Sequence, residues 1–110
     1  MKKVVIESPF AGDTKKNIEY ARACMNDCLK RGEAPIASHL LYTQKGILDD
    51  TIPEERKIGI EAGFVWGKMA EKTVVYVDLG ITKGMKDGIK RAELDSREIE
   101  YRKIKINADK

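Results

Sequence analysis

Apolar residues are arranged along this chain in two alternating kinds of block, short β-branched runs and longer stretches at helical spacing. Val4-Val5-Ile6 is bounded by Ser8-Pro9-Phe10-Ala11-Gly12, which predicts a buried strand running into a turn. Asp13 or Thr14 then caps a helix in which Ile18, Ala21, Met25, Cys28 and Leu29 share a face, until Gly32 stops it. Ala34-Pro35-Ile36-Ala37 predicts a second, weaker strand, with the proline at its start or on an edge, ending on Ser38-His39. Leu40 to Asp50 has no period and reads as a long functional loop.

Thr51-Ile52-Pro53-Glu54 has the spacing of a capping box with Pro early in the first turn, and it predicts the start of a helix. That helix carries Ile58, Ala62, Val65, Trp66 and Met69, and also Gly59, Gly63 and Gly67 on one i,i+4 stripe. Each such glycine costs roughly 1 kcal/mol against alanine, so the stripe implies close packing against a neighbouring backbone. The expected neighbour is a second subunit, giving a homo-oligomer formed through this helix, or the sheet itself. Thr73-Val74-Val75-Tyr76-Val77 is the strongest strand signal, Thr82 caps a last helix with Met85, Ile89 and Ala92 on one face, and residues 98–106 alternate as a final strand. Ile99 and Tyr101 share one face of it, and Ile104 and Ile106 continue after a break in phase.

The order βαβαβαβ predicts an α/β fold of three layers, a four-stranded parallel sheet with helices on both faces and right-handed crossovers. Strand order 2-1-3-4 puts the switch point between the first and third strands, where ligands bind at the strand carboxyl ends. The Ser8 loop and the Asp78-Leu79-Gly80 loop are expected to meet there.

Length and composition add limits to this picture. With 110 residues, 42% apolar and 35% charged, the chain fits a single folded domain over 1–110. The net charge of +3 is spread along the sequence except for a basic C-terminal strand and tail, and no element concentrates basic residues to reach base edges, which disfavours a dedicated nucleic-acid binder. Cys24 and Cys28 have no second cysteine or histidine pair to complete a zinc site, so they read as reduced core or flank thiols, and no metal or cofactor is expected. Met1-Lys2-Lys3 leads only into a short apolar run and no stretch reaches membrane-spanning length, so a cytoplasmic protein without a membrane partner is the expectation.

The candidate chemistry gathers at the predicted strand ends. Ser8, Pro9, Phe10 and Gly12 supply a hydroxyl, an aromatic face and a flexible backbone before a helix N-terminus, although a plain strand-to-helix turn has the same makeup. His39, the only histidine, is placed at the end of the second strand, where it can donate to a ligand or act near neutral pH. Asp49 and Asp50 have the chemistry to bind ribose hydroxyls, and Glu61 can face solvent or pocket. Thr82, Gly84 and Met85 open the last helix beside the Asp78 loop, where free N–H groups suit a phosphate or carboxylate. Neither a P-loop nor a Gly-x-Gly-x-x-Gly fingerprint occurs, which disfavours ATPase and nicotinamide-dependent functions.

Taken together, Ser8-Pro9-Phe10, Asn17, Arg22, His39-Leu40-Leu41, Asp49-Asp50, Arg56, Gly59-Ile60-Glu61-Ala62-Gly63 and Gly84-Met85 give nearly the whole chain a resemblance to the nucleoside 2-deoxyribosyltransferase-like proteins. Within them it is most similar to a group of small phage and bacterial proteins of that fold. The resemblance implies a pocket for a purine or pyrimidine deoxynucleoside and neighbouring subunits that help complete it; the residues expected to bind the ligand are Ser8, Pro9, Phe10, Gly12, Asn17, His39, Asp78, Thr82, Gly84 and Met85. It also implies a Glu nucleophile in a Gly-Met-x-x-Glu pattern, but here Gly84-Met85-Lys86-Asp87 leads to Gly88.

A glycine cannot attack an anomeric carbon. The leading expectation is therefore a protein that binds a nucleoside- or nucleotide-type small molecule without turnover, as a sensor or as a phage-type sponge in the host cytoplasm. The alternative is a nucleoside or nucleotide N-glycosidase or deoxyribosyltransferase using Asp87, Glu61 or His39. A module using the glycine helix for assembly alone is a third class.

Overall fold

A computed structural model of the chain describes residues 1–104. Its elements are β1 (Lys2–Glu7), α1 (Thr14–Lys30), β2 (Glu33–Ile36), α2 (Ser38–Leu41), α3 (Pro53–Gly67), β3 (Lys72–Tyr76), α4 (Lys83–Leu94) and β4 (Glu98–Arg102). The strands form one parallel sheet in the order β2-β1-β3-β4, the order expected from the alternation of runs. Because successive strand residues point to opposite faces, the sheet has two different sides. Val4, Ile6, Val74 and Tyr76 pack with Tyr20, Cys24 and Cys28 of α1 into the main core. On the other side Val5 lies next to Gly67 of α3, and Glu7 meets Gly88 of α4.

Local chemistry accounts for the helix ends. The Asp13 carboxylate caps α1 by accepting from the Lys16 N–H at 3.2 Å, and Gly32, at φ +82°, turns the chain after it. Thr82 caps α4, its hydroxyl accepting from the Met85 N–H at 3.2 Å. Cys24 and Cys28 are buried and free, and burial pushes both thiols above their ordinary pKa, so they stay protonated.

Several expectations are corrected. The stretch after β2 is not all loop: residues Ser38–Leu41 form the short helix α2, which places His39 within it instead of at the strand end. Thr51 does not cap α3. Its N–H and hydroxyl go to the Asp49 carboxylate at 2.9 and 2.6 Å, and Ile52 is the cap residue without a side-chain bond. The glycine stripe is occupied within the chain. A Cβ at Gly63 would lie 2.7 Å from the Ser38 Cβ, Gly59 faces Leu48, and Gly67 faces Val5 and Arg97. Ile58, Val65 and Trp66 of α3, and Met69 just after it, are exposed. The final strand ends at Arg102, Ile104 packs against the core, and Ile106 lies outside the described residues.

Beneath α1 a buried ionic network ties four elements together. Arg102, almost wholly enclosed, donates from both terminal nitrogens to Glu33 at 2.7 and 2.6 Å and from Nε to Glu100 at 2.8 Å. Lys72 donates to Glu100 at 2.7 Å, and the Tyr76 hydroxyl lies between Arg102 and Asp27. Hydrogen bonds from Arg102 hold Glu33 below the ordinary carboxylate pKa, and Arg102 and Lys72 together bring Glu100 down to about 2.

Removing one partner of such a pair leaves the other charge buried and uncompensated. Glu33→Gln is therefore expected to cost about 3 kcal/mol in urea denaturation at neutral pH. Because both carboxyls have depressed folded pKa values, their contribution is fully present above the unfolded value near 4.5 and is lost as pH falls toward 2. Wild-type stability should decline across that window, and the Glu33→Gln variant should decline less steeply. Equal slopes for the two proteins would rule out the network as the source.

Candidate functional site

The strand carboxyl ends on the α3 and α4 side open into a cavity of about 400 Å³. Glu7 and Val5 of β1 form its floor, the loop after β1 contributes Ser8 and Phe10, and α2 contributes Ser38 and His39. Helix α3 supplies Arg56, Ile60, Gly63 and Phe64 along one wall, and the first two turns of α4 with the preceding cap supply Thr82, Gly84, Met85, Asp87 and Gly88 along the other. The glycines on α3 thus have a second role. Without side chains at 63 and 67, the helix can cross Ser38 and Val5 closely while leaving space over the strand ends.

Phe10 and His39 form one aromatic side of the cavity, their ring centroids 5.2 Å apart and tilted by 43°. The Phe10 loop is braced by Asn17, whose amide donates to the carbonyls of Phe10 and Ala11 at 2.9 and 3.0 Å. His39 Nε2 lies 3.2 Å from the Ser8 hydroxyl, and the His39 carbonyl accepts from the Thr43 hydroxyl. Burial lowers the imidazole pKa to about 4, so the ring is neutral at physiological pH and presents an uncharged aromatic edge.

Glu7 is the group that the sequence reading missed. Its carboxyl lies directly against the α carbon of Gly88, where any Cβ would overlap it. Burial pushes the Glu7 pKa up to about 8, with Arg97 pulling it down and Asp87 adding to the rise. No hydrogen bond joins the carboxyl to another described residue. Arg97 is itself anchored, donating to Thr73 Oγ1 and to the Gly67 carbonyl, both at 2.9 Å. A signal for Glu7 existed in the alternation itself. Val5 and Glu7 are out of phase with the core residues Val4 and Ile6, so a strand extended by one residue carries a carboxyl to the ligand-binding end.

Of the residues singled out from sequence, Ser8, Phe10, His39, Thr82, Gly84 and Met85 line the cavity, as do Asp50 and Asp87. Pro9, Gly12 and Asn17 do not line it, and Asn17 acts on it through the loop. Asp78 is corrected to a structural role. It is in phase with Val74 and Tyr76 and so points to the α1 side, where it accepts from the Tyr20 hydroxyl at 2.6 Å and from the Ile104 N–H at 3.1 Å. Glu61 is on the exposed part of α3 and does not line the cavity. Asp50 faces Arg56 at 3.6 Å, and Asp87 faces Lys83 at 3.5 Å on the open rim.

The contact between Glu7 and Gly88 makes a test of packing alone. Gly88→Glu forces two carboxyls into one volume and should lower stability by about 2 kcal/mol, a typical overpacking cost. Combining it with Glu7→Ala should recover most of that loss, because the space is vacated. Denaturation curves in which Gly88→Glu matches wild type, or in which the double variant is no more stable than Gly88→Glu, would contradict the contact.

A solved structure of the 2-deoxyribosyltransferase from the psychrotolerant bacterium Bacillus psychrosaccharolyticus is similar to this fold, with a TM-score of 0.62 over 92% of this chain and 72% of that chain. Sequence identity is 15%, so the likeness is one of fold. No curated protein matches the sequence. A family model matches residues 2–102, from the first residue of β1 to the last of β4, and the chain belongs to the family described as Domain of unknown function (DUF7768).

Proposed function

We propose that this protein binds a nucleoside-type small molecule in the cavity at its strand ends and does so without turning it over. The observation that carries the reading is that a neutral aromatic pair, Phe10 with His39, and the polar start of α4 line one cavity of about 400 Å³. Pockets for small ligands have this size and this mixture of apolar surface with a few polar groups. A base or sugar fits against Phe10, and the Thr82 and Gly84 end of α4 favours an anionic substituent such as phosphate. The fold shared with a 2-deoxyribosyltransferase supports the choice of ligand class.

Absence of turnover is supported by the state of the carboxylates nearest the position where a nucleophile is expected. Gly88 offers no nucleophile, Glu7 is mostly protonated at neutral pH, Asp87 is solvated on the rim beside Lys83, and Glu61 is outside the cavity. A binder of this kind serves as a sensor or as a sequestering protein.

One observation favours a second reading, cleavage of an N-glycosidic bond. The Glu7 carboxyl occupies the space a side chain at position 88 would take. In its ionised form it could attack the anomeric carbon as the C–N bond breaks, with the base leaving on the electron pair and gaining a proton, and water then cleaving the resulting ester. That chemistry requires the deprotonated carboxylate, so its rate would rise with pH through about 8.

Calorimetry with a panel of deoxynucleosides and their monophosphates should detect binding at pH 7. Phe10→Ala should weaken it about tenfold, or roughly 1.4 kcal/mol, and Leu94→Ala, on an exposed site away from the cavity, should leave it unchanged. Chromatography of the same mixtures should show no free base at pH 7 or pH 9. Release of base that increases with pH and disappears in Glu7→Gln would establish the second reading in place of the first.

A further inference from the structure

Glu7 is a carboxyl side chain with no hydrogen-bond partner among the described residues, held against the backbone of α4 on the floor of the cavity. Glu7 is only partly buried, and no buried side-chain polar atom among the described residues lacks a partner, so its carboxyl opens into the cavity where a ligand can meet it. The surrounding structure is shaped to keep it there. Residue 88 is a glycine, the one residue type that leaves room, and Arg97 is tied to Thr73 and Gly67 close by without closing a hydrogen bond on the carboxyl. An open, neutral carboxyl presents an O–H donor and a C=O acceptor side by side.

We infer that the Glu7 carboxyl touches the bound molecule directly, hydrogen-bonding both an acceptor atom of the ligand and an adjacent N–H. The ligand class that satisfies both oxygens is one with an acceptor next to a donor on a planar edge, such as the amidine edge of an adenine or cytosine base. This rests on the binding reading above and adds the group that selects within it. It also differs in sign from the cleavage reading, because binding through a neutral carboxyl weakens with rising pH whereas attack by a carboxylate strengthens.

The other charged or titratable groups facing this region are Asp87 and Lys83 of α4, Arg97 before β4, Asp50 before α3, Arg56 of α3 and His39 of α2. His39 is already neutral above a pH of about 4. Burial raises Glu7 to about 8, so the pH dependence between 6 and 9.5 should come from Glu7.

The probes are 2′-deoxyadenosine and 2′-deoxycytidine, which neither gain nor lose a proton in that range, and 2-deoxyribose, which lacks the base. For wild type, the Kd of at least one nucleoside should be flat from pH 6 to 7.5 and increase about tenfold per pH unit above 8, with 2-deoxyribose binding far more weakly. Glu7→Ala should weaken nucleoside binding about tenfold at pH 7. Glu7→Gln, whose amide also offers a donor and an acceptor, should restore most of the affinity and remove the pH dependence.

Nucleoside binding that keeps the same pH profile in Glu7→Gln would overturn the contact while leaving the binding reading intact, and no binding by wild type at any pH would overturn both. Stability supplies a ligand-free check. A carboxyl with a raised folded pKa contributes stability that is fully present below the unfolded value near 4.5 and is lost as pH rises through about 8. The Tm of Glu7→Gln should therefore gain on wild type between pH 5 and 9, and a constant difference between the two across that range would overturn the neutral state on which the contact depends.

Discussion

A carboxyl group set between the first strand and the last helix constrains the whole ligand-facing side of this domain. Glu7 is at the end of β1 with its side chain directed at α4, and the helix can approach only because position 88 has no side chain. That approach brings the N-terminal turn of α4, with Thr82, Gly84 and Met85, up to the loop carrying Ser8 and Phe10. Arg97, reached by the chain just after α4, is braced by Thr73 and Gly67 and so joins the same region to β3 and α3. The cavity is the space left when these close contacts are made on one side and the glycines of α3 admit Ser38 and Val5 on the other.

The two sides of the sheet divide stability from binding. Under α1 the side chains of alternate strand residues form a filled core, and the remaining polar groups complete each other through Arg102, Glu33, Glu100 and Lys72. Asp78 closes that side by linking β3 to Tyr20 of α1 and to the backbone at Ile104. On the α3 and α4 side, the next residues in register face a cavity and include a carboxyl without an internal hydrogen bond among the described residues. The carboxyl opens into the cavity, so it meets whatever the cavity holds instead of a fixed partner in the fold.

Much of this arrangement could be read from the residues. Four β-branched or apolar runs separated by helical periods define the parallel sheet, and the strand order places Ser8, Phe10, His39 and the start of α4 around one crevice. What could not be read depends on phase and on distance along the chain. Asp78 follows a strand as a ligand-binding residue should, but one step of alternation turns it to the α1 side. Glu7 falls just beyond a run taken to end at Ile6, and its partner Gly88 is remote in sequence, so the glycine could be noticed but not what occupied its space. The glycine stripe of α3 correctly signalled close packing, yet only the folded chain identifies Ser38, Leu48 and Val5 as its neighbours.

A crystal structure of the protein grown with 2′-deoxyadenosine or 2′-deoxycytidine at saturating concentration tests the role of Glu7 most directly. Density for the nucleoside is expected in the cavity between α3 and α4, stacked near Phe10 and His39, with a ligand acceptor within 3.2 Å of a Glu7 carboxyl oxygen, about the limit of a normal hydrogen bond. Ligand density on the α1 side of the sheet, or in the cavity with Glu7 still without a partner, would contradict it.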